Sequence, residues 1–232
     1  QRPKKEALFI DLIQALEDVE EINRFRISSI EPNLCTNEII SFVAQSSKFM
    51  PHFHMPLQSG HNDILRSMKR RYLRELYAER VETIRQLIPH ACIGVDVITG
   101  FPRESDLHFE DTFRFLRDLE IDYIHAFTYS ERKDTPAAAM PDIVPVQVRR
   151  ERSQALRQLS LKKKHSHYQR HLGETRHVLL EKGPDAEHLY GFTDNYIKIL
   201  IQAPISRVNS IGPITLDHII SHGDEILVAA NA

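Results

Sequence analysis

The chain has 232 residues, 41% of them apolar and 27% charged, with a formal net charge of −2; this composition excludes a disordered or fibrous chain. Two cysteines, Cys35 and Cys92, exclude a disulfide framework and any cluster site built from three or more Cys ligands within this sequence. Apolar runs are too short to cross a bilayer and the opening Gln1-Arg2-Pro3-Lys4-Lys5-Glu6 is no apolar signal region, so a reducing, cytoplasmic setting is expected.

Residues 6–19 place Leu8, Leu12, Ala15, Leu16 and Val19 at a helical period. Residues 24–30 alternate polar and apolar like a strand and stop at Pro32. A helix over 36–46 follows, with Thr36 as its N-cap. Residues 52–57 read as the next strand, ending at Gln58-Ser59-Gly60, and residues 62–87 as a long charged helix or helix pair. Residues 91–98 are nearly continuously apolar, the mark of a strand covered on both faces, and end at Gly100-Phe101-Pro102. A further helix over 105–119 has Ser105 as N-cap and Phe109, Thr112, Phe113, Leu116 and Leu119 as its stripe. Residues 123–129 are a fourth strand.

Strands separated by helices predict βα units and a parallel sheet, with chemistry at the C-terminal strand ends. The fold class is α/β, part of a parallel (β/α) barrel, because four strands do not close a barrel of ~8. Such a sheet has an exposed edge, so a homodimer or other covering contact is expected.

After a Pro/Ala-rich loop over 136–146 comes a basic helix over 147–170, where eight Lys and Arg residues face Glu151 alone. From residue 171 the pattern changes to short β-runs at 176–180, 196–201, 214–220 and 225–228, the pattern of a small antiparallel barrel of the oligonucleotide-binding kind. The chain therefore divides into 1–146, 147–170 and 171–232. The last part carries four basic and eight acidic residues, a poor footprint for phosphates, so the helix is the better RNA-binding candidate.

Polar groups gather at the strand ends: Glu31, Gln58, Ser59 and Asp96, with Arg70 one helix after Gln58. Asp96 is costly to leave unpaired in an apolar strand, so it pairs with an arginine, caps backbone amides or holds a ligand hydroxyl. His52 and His54 share one side of their strand. Two histidines can bind metal, but no third ligand is evident nearby, so packing or supporting roles are expected. No nucleophile–His–acid arrangement and no phosphate-binding Gly-rich loop is present.

The segment His54-Met55-Pro56-Leu57-Gln58-Ser59-Gly60, followed by Leu65, Met68, Lys69, Arg70 and Tyr72, resembles a signature of the radical S-adenosylmethionine methylthiotransferases. Asp96-Val97-Ile98-Thr99-Gly100-Phe101-Pro102-Arg103-Glu104 resembles their next block, with Arg103 where a Gly is usual. A third block runs from Phe127 through Ser130-Glu131-Arg132 to Ala137, with Asp134 at another usual Gly. Ile27-Ser28-Ser29-Ile30-Glu31-Pro32 is closest to the branch that modifies threonylcarbamoyladenosine in tRNA. The resemblance runs from about Phe9 to the end, and residues 171–232 are similar to the family's TRAM domain, a small RNA-binding β-barrel.

This resemblance implies a transferase that inserts sulfur and a methyl group into a modified adenosine beside the anticodon, using S-adenosylmethionine and two [4Fe–4S] clusters. It implies that Glu31, Gln58, with its neighbour Ser59, and Asp96 hydrogen-bond the cofactor, chiefly its ribose. Arg70 would pair with the methionyl carboxylate, and Ile98 with Phe127 or Tyr129 would line the adenine. For tRNA the candidates are Arg149, Arg150, Lys162, Lys163, Lys164 and Arg170, with Tyr196 as a stacking platform. Cys35 and Cys92 match neither cluster motif of the family, and there is no initiator Met. The expectation is therefore the C-terminal part of a longer enzyme, partnered by its own N-terminal part, inactive alone and holding no cluster. Two rival readings are a non-catalytic tRNA-binding module and a non-radical barrel lyase or isomerase, the latter needing an acid/base pair that the sequence does not show.

Overall fold

The structure is a computed structural model that describes residues 8–222 and 225–231. Residues 1–7, including Glu6 and Ala7 of the first predicted helix, lie outside the described residues. Helix α1 is Phe9–Glu17 and α2 is Asn37–Gln45. Thr36 caps α2, its Oγ1 accepting from Ile39 N–H at 3.3 Å. Strand β1 (His52–Gln58), helices α3 (Asn62–Ser67) and α4 (Arg74–Leu87), β2 (Cys92–Thr99), α5 (Asp106–Asp118) and β3 (Tyr123–Thr128) follow. The charged segment 62–87 is thus a helix pair, and Lys69 turns the chain between its halves with φ 56°.

The sheet is parallel, in order β1-β2-β3. Side chains alternate across it. Phe53, Met55, Leu57, Ile93, Val95, Val97, Ile124 and Ala126 face one way and bury against Ile40, Tyr77, Ile84, Leu116 and Leu156 of the helices. The other face carries His52, His54, Gly94, Asp96, Ile98, Tyr123, His125 and Phe127. It is covered only at its lower end: Gly94 is buried, whereas Asp96 and Ile98 are part-exposed. The expectation that 91–98 is covered on both faces therefore holds for half the strand.

Residues 24–30 form no regular strand. They run beside β1 with a single bridge, Phe25 to Phe49, and one further bond, Ile30 N–H to His54 O. Ser28 O, which a ladder would use, instead accepts from the His54 ring at 2.8 Å. The parallel sheet thus has three strands among the described residues, not four.

A 3-10 turn over Pro136–Ala139 leads to α6, Val146–Arg170. Beyond it β4 (Thr175–Lys182), β5 (His188–Thr193), β6 (Lys198–Gln202), β7 (Ile211–His222) and β8 (Glu225–Asn231) close into a barrel in order β4-β5-β6-β8-β7. Two details correct the sequence reading. Strand β5 is not among the four predicted β-runs, and β6 pairs β8 in parallel, so the barrel is not wholly antiparallel. Its core joins Val178, Leu180, Leu189, Ile197, Ile199, Leu216 and Val228 to Tyr168 of α6. The barrel meets the N-terminal ends of the parallel strands: Asn195 Nδ2 donates to His90 O at 3.1 Å and Arg24 Nη2 to His177 O at 2.8 Å.

Candidate functional site

The uncovered face of the sheet is built in three tiers. At the lowest, Tyr123 lays its ring across Gly94 and brings its hydroxyl 2.9 Å from His52 Nε2. A Cβ on Gly94 would sit 2.0 Å from that ring, so only glycine admits it. Tyr196 closes the tier from the small barrel, its ring 4.2 Å from His52 and 4.9 Å from Phe192, with the Arg26 guanidinium 4.3 Å above it. Burial, helped by Arg26 and His54, pushes His52 down to about 3, so it is neutral at ordinary pH.

In the middle tier Asp96 finds its partners. His54 Nε2 lies 2.8 Å and His125 Nδ1 3.2 Å from the same oxygen, Oδ1. The partners of Asp96 are histidines, not the arginine or backbone amides that the sequence offered. Burial opposes ionisation of Asp96, but the bonds to His125 and His54 outweigh it and hold the carboxyl below its usual range. The Asp96 bond likewise raises His54, against its burial.

The upper tier lies at the C-terminal strand ends. β1 slips register between Pro56 and Gln58, and Gln58 takes φ 71°. A non-glycine residue there costs roughly 1–2 kcal/mol, strain of the kind stored at functional sites. Tyr72 holds the distortion, its hydroxyl reaching Pro56 O at 2.8 Å and Leu57 O at 3.2 Å. Arg70 Nη1 donates to Glu31 Oε1 at 3.2 Å, and Arg70 Nε is buried with no partner. Ile98 and Phe127 are register partners, Phe127 being 52% exposed.

Ser59 is turned elsewhere: it is buried, accepts from His61 N–H at 3.2 Å and lies 3.4 Å from Thr112 Oγ1 of α5. It supports the turn rather than lining the face. Tyr129 packs on Phe101 at 5.3 Å and under the Arg149 guanidinium, with its hydroxyl buried and unpaired. Of the two aromatic candidates, Phe127 is the exposed one.

The Gly100 turn is equally tight. Gly100 has φ 76°, and a Cβ there would lie 2.2 Å from Arg149 Cγ. Its N–H donates to Glu104, which is buried and paired with Arg152 at 2.9 Å. Arg103, at the first usual Gly, has φ 73°; Asp134, at the second, has φ 64°. Both departures keep the left-handed backbone that glycine serves.

The basic helix divides in the structure. Arg149 is buried, donating to Val144 O, Tyr129 O and Glu131 at 2.7, 2.8 and 2.6 Å, so it is removed from the phosphate-binding set. Lys163 caps the end of α5 through Leu119 O at 2.7 Å and Arg117 O at 3.0 Å. Arg170 pairs with buried Asp122 at 2.7 Å, and Lys164 lies over the Tyr168 ring at 5.5 Å. Arg150 and Lys162 are exposed. Both thiols are buried, which pushes Cys35 up to about 12 and Cys92 well above its ordinary value; neither is presented to a ligand.

Sequence reasoning missed His125, Glu104 and Asp122. His125 faces Asp96 only through the β2–β3 register, a tertiary property. The other two are acids that the fold buries beside Arg152 and Arg85.

A parallel sheet of βα units whose polar residues collect at the C-terminal strand ends defines an α/β protein of the (β/α) class. Residues 2–116 match the Radical SAM superfamily, and the chain belongs to that superfamily. It is 35% identical over 210 residues to the tRNA-2-methylthio-N(6)-dimethylallyladenosine synthase of Pelotomaculum thermopropionicum, covering 90% of this chain and 47% of that protein. It is 38% identical over 186 residues to the threonylcarbamoyladenosine tRNA methylthiotransferase MtaB of Rickettsia prowazekii, covering 80% and 43%. With MtaB of Bacillus subtilis it shares 34% over 212 residues, covering 89% and 47%. The chain thus spans about half the length of the curated relatives it matches. No helix among the described residues is long and apolar enough to cross a membrane.

Proposed function

We propose that this chain is part of a radical S-adenosylmethionine enzyme that methylthiolates a modified adenosine of tRNA, N6-threonylcarbamoyladenosine in particular. The observation that carries this reading is identity of 35 and 38% to two tRNA methylthiotransferases over 90 and 80% of the chain. The threonylcarbamoyl branch is favoured by the higher of these identities and by the Ile27–Pro32 segment.

The upper tier suits S-adenosylmethionine. Arg70 has an unpaired, buried Nε and only a part-exposed carboxylate for a partner, so its fork can exchange Glu31 for the methionyl carboxylate. Glu31, once released, and the Gln58 amide accept or donate to hydroxyls. Asp96 has Oδ2 left for a ribose, since both histidines use Oδ1. Ile98 and Phe127 offer an apolar shelf for adenine. When bound, the cofactor supplies the radical chemistry of the superfamily; the residues here bind and orient it. The two thiols do not fit an iron–sulfur cluster, which takes about four thiolates, because burial keeps both protonated.

The small barrel is assigned as a TRAM domain and tRNA as the partner. Arg150 and Lys162 supply free positive charge for its phosphates, whereas the Tyr196 ring is taken up by Phe192, His52 and Arg26 rather than offered to a base.

The test is mass spectrometry of tRNA nucleosides from the source organism with and without this gene. Loss of the 2-methylthio group from threonylcarbamoyladenosine, restored by complementation, is expected. Loss from dimethylallyladenosine instead would move the protein to the other branch, and an unchanged profile would overturn the assignment.

A further inference from the structure

The middle tier poses a question of protons that cofactor binding does not answer. His54 Nδ1 lies 2.8 Å from Ser28 O, a carbonyl that can only accept, and 3.3 Å from Ser29 Oγ, which can do either; the shorter contact places a proton on Nδ1. In a neutral imidazole Nε2 is then a bare lone pair. It faces Asp96 Oδ1, another lone pair, at 2.8 Å. His125 brings Nδ1 within 3.2 Å of the same oxygen. Such an arrangement calls for a positive centre between the groups, which either a shared proton or a metal ion supplies.

We propose that His54 Nε2, the Asp96 carboxylate and His125 Nδ1 form a binding site for a divalent first-row transition metal ion. This goes beyond the function proposed above and uses residues that contact neither cysteine. The three ligand atoms already lie within 4.8 Å of one another. Tetrahedral coordination at about 2.0–2.2 Å spaces ligands by about 3.4 Å, so the observed contacts need to open by less than about 1 Å. Each ligand sits on a different one of three paired strands, which fixes the site without help from loops. The Nδ1–H bond to Ser28 O is the supporting contact that orients a metal-binding histidine and presents its other nitrogen. Two nitrogens and one carboxylate suit zinc, iron or cobalt rather than magnesium or calcium. His125 is 53% exposed, so the remaining coordination position opens on the uncovered face of the sheet, where a water or substrate atom can enter.

A second group, His61, Asp63 and His108, has similar spacing but different proton bookkeeping. His61 Nδ1 already accepts from Asp63 N–H at 3.2 Å, and the Asp63 carboxylate is exposed and paired with Arg66 at 2.7 Å. His108 Nδ1 lies 3.1 Å from Arg103 O and 3.3 Å from Ser105 N, so only His108 keeps an uncommitted nitrogen and no ready ligand set is left.

The chain, stripped with chelator, is titrated with Co2+ and followed by visible absorption, with Zn2+ competition by calorimetry. One equivalent of saturable binding is expected. His125→Ala and Asp96→Asn should each weaken it by about tenfold or more, and His108→Ala by less than about twofold. Circular dichroism verifies folding, and His125→Asn serves if His125→Ala does not fold. Absence of saturable binding, binding indifferent to the His125 variants, or binding lost with His108→Ala overturns the assignment. So does 15N NMR showing both His54 ring nitrogens still protonated in the presence of equimolar Zn2+, because a proton then occupies the place given to the metal.

Discussion

His52 should make the protein acid-sensitive well above the carboxylate range. It is 3% exposed, bonded to Tyr123 and packed at a tilt against Tyr196, and burial holds it near 3 against an ordinary 6.5. Unfolding releases it, so below 6.5 the unfolded chain binds a proton that the folded chain refuses. Stability is therefore full above 6.5 and falls steadily as pH drops toward 3. Each pH unit costs about 1.4 kcal/mol, so acidification to about pH 5 removes about 2 kcal/mol through this residue alone. His54 acts oppositely: its raised pKa, due chiefly to Asp96, gives stability that is full below the ordinary value and lost as pH rises. Urea unfolding of wild type and His52→Gln at about pH 7.5 and about pH 5 isolates the His52 contribution, because glutamine keeps a bond to Tyr123 but does not titrate. The wild type should lose about 2 kcal/mol more than the variant between the two conditions. Equal losses would refute the reasoning.

Gly94→Ala should cost about 2–4 kcal/mol, the sum of overpacking against Tyr123 and the lost Tyr123–His52 bond; a change in urea midpoint equivalent to under about 0.5 kcal/mol would contradict the tight approach. Arg152→Met leaves Glu104 buried without its countercharge and should cost about 3–5 kcal/mol, while Arg152→Met with Glu104→Met should recover most of it, as read by thermal unfolding. Arg103→Gly relieves a left-handed backbone and should stabilise by about 0.5–1 kcal/mol, with Asp134→Gly giving less because aspartate tolerates that region. Arg150→Ala and Lys162→Ala should each reduce the salt slope of tRNA binding by about 1, whereas Arg149→Met, if folded, should leave the slope unchanged.

Much of the frame was legible because local chemistry wrote it. Thr36 and Ser105 announce their helices and do cap them. The apolar alternation of β1 and β3 gives the sheet, and the connecting helices force it parallel. What stayed hidden depends on pairing between distant segments. Residues 24–30 have a strand's pattern, but the His54 ring takes the carbonyl that a ladder would use. Nothing in the run of lysines and arginines distinguishes Arg149, buried under the Gly100 turn, from exposed Arg150; only the helix phase against the sheet does. The candidate site divides the same way. Gln58, Arg70 and Glu31 could be named from motif and strand end, whereas the third member of the Asp96 group awaited the β2–β3 register.

Helix α6 has 25 residues and so measures about 37 Å. Its first turn is locked to the Gly100 loop through Arg149, and its last turn supplies Tyr168 to the core of the small barrel. One continuous rod therefore works as a ruler between the C-terminal strand ends of the sheet and the barrel at the opposite end. Its calibration is unforgiving: inserting a single residue would advance the barrel by about 1.5 Å and swing it by about 100° around the rod. Insertions in this lineage should thus collect in the turns of the barrel, and α6 should keep its length even where its surface charges change.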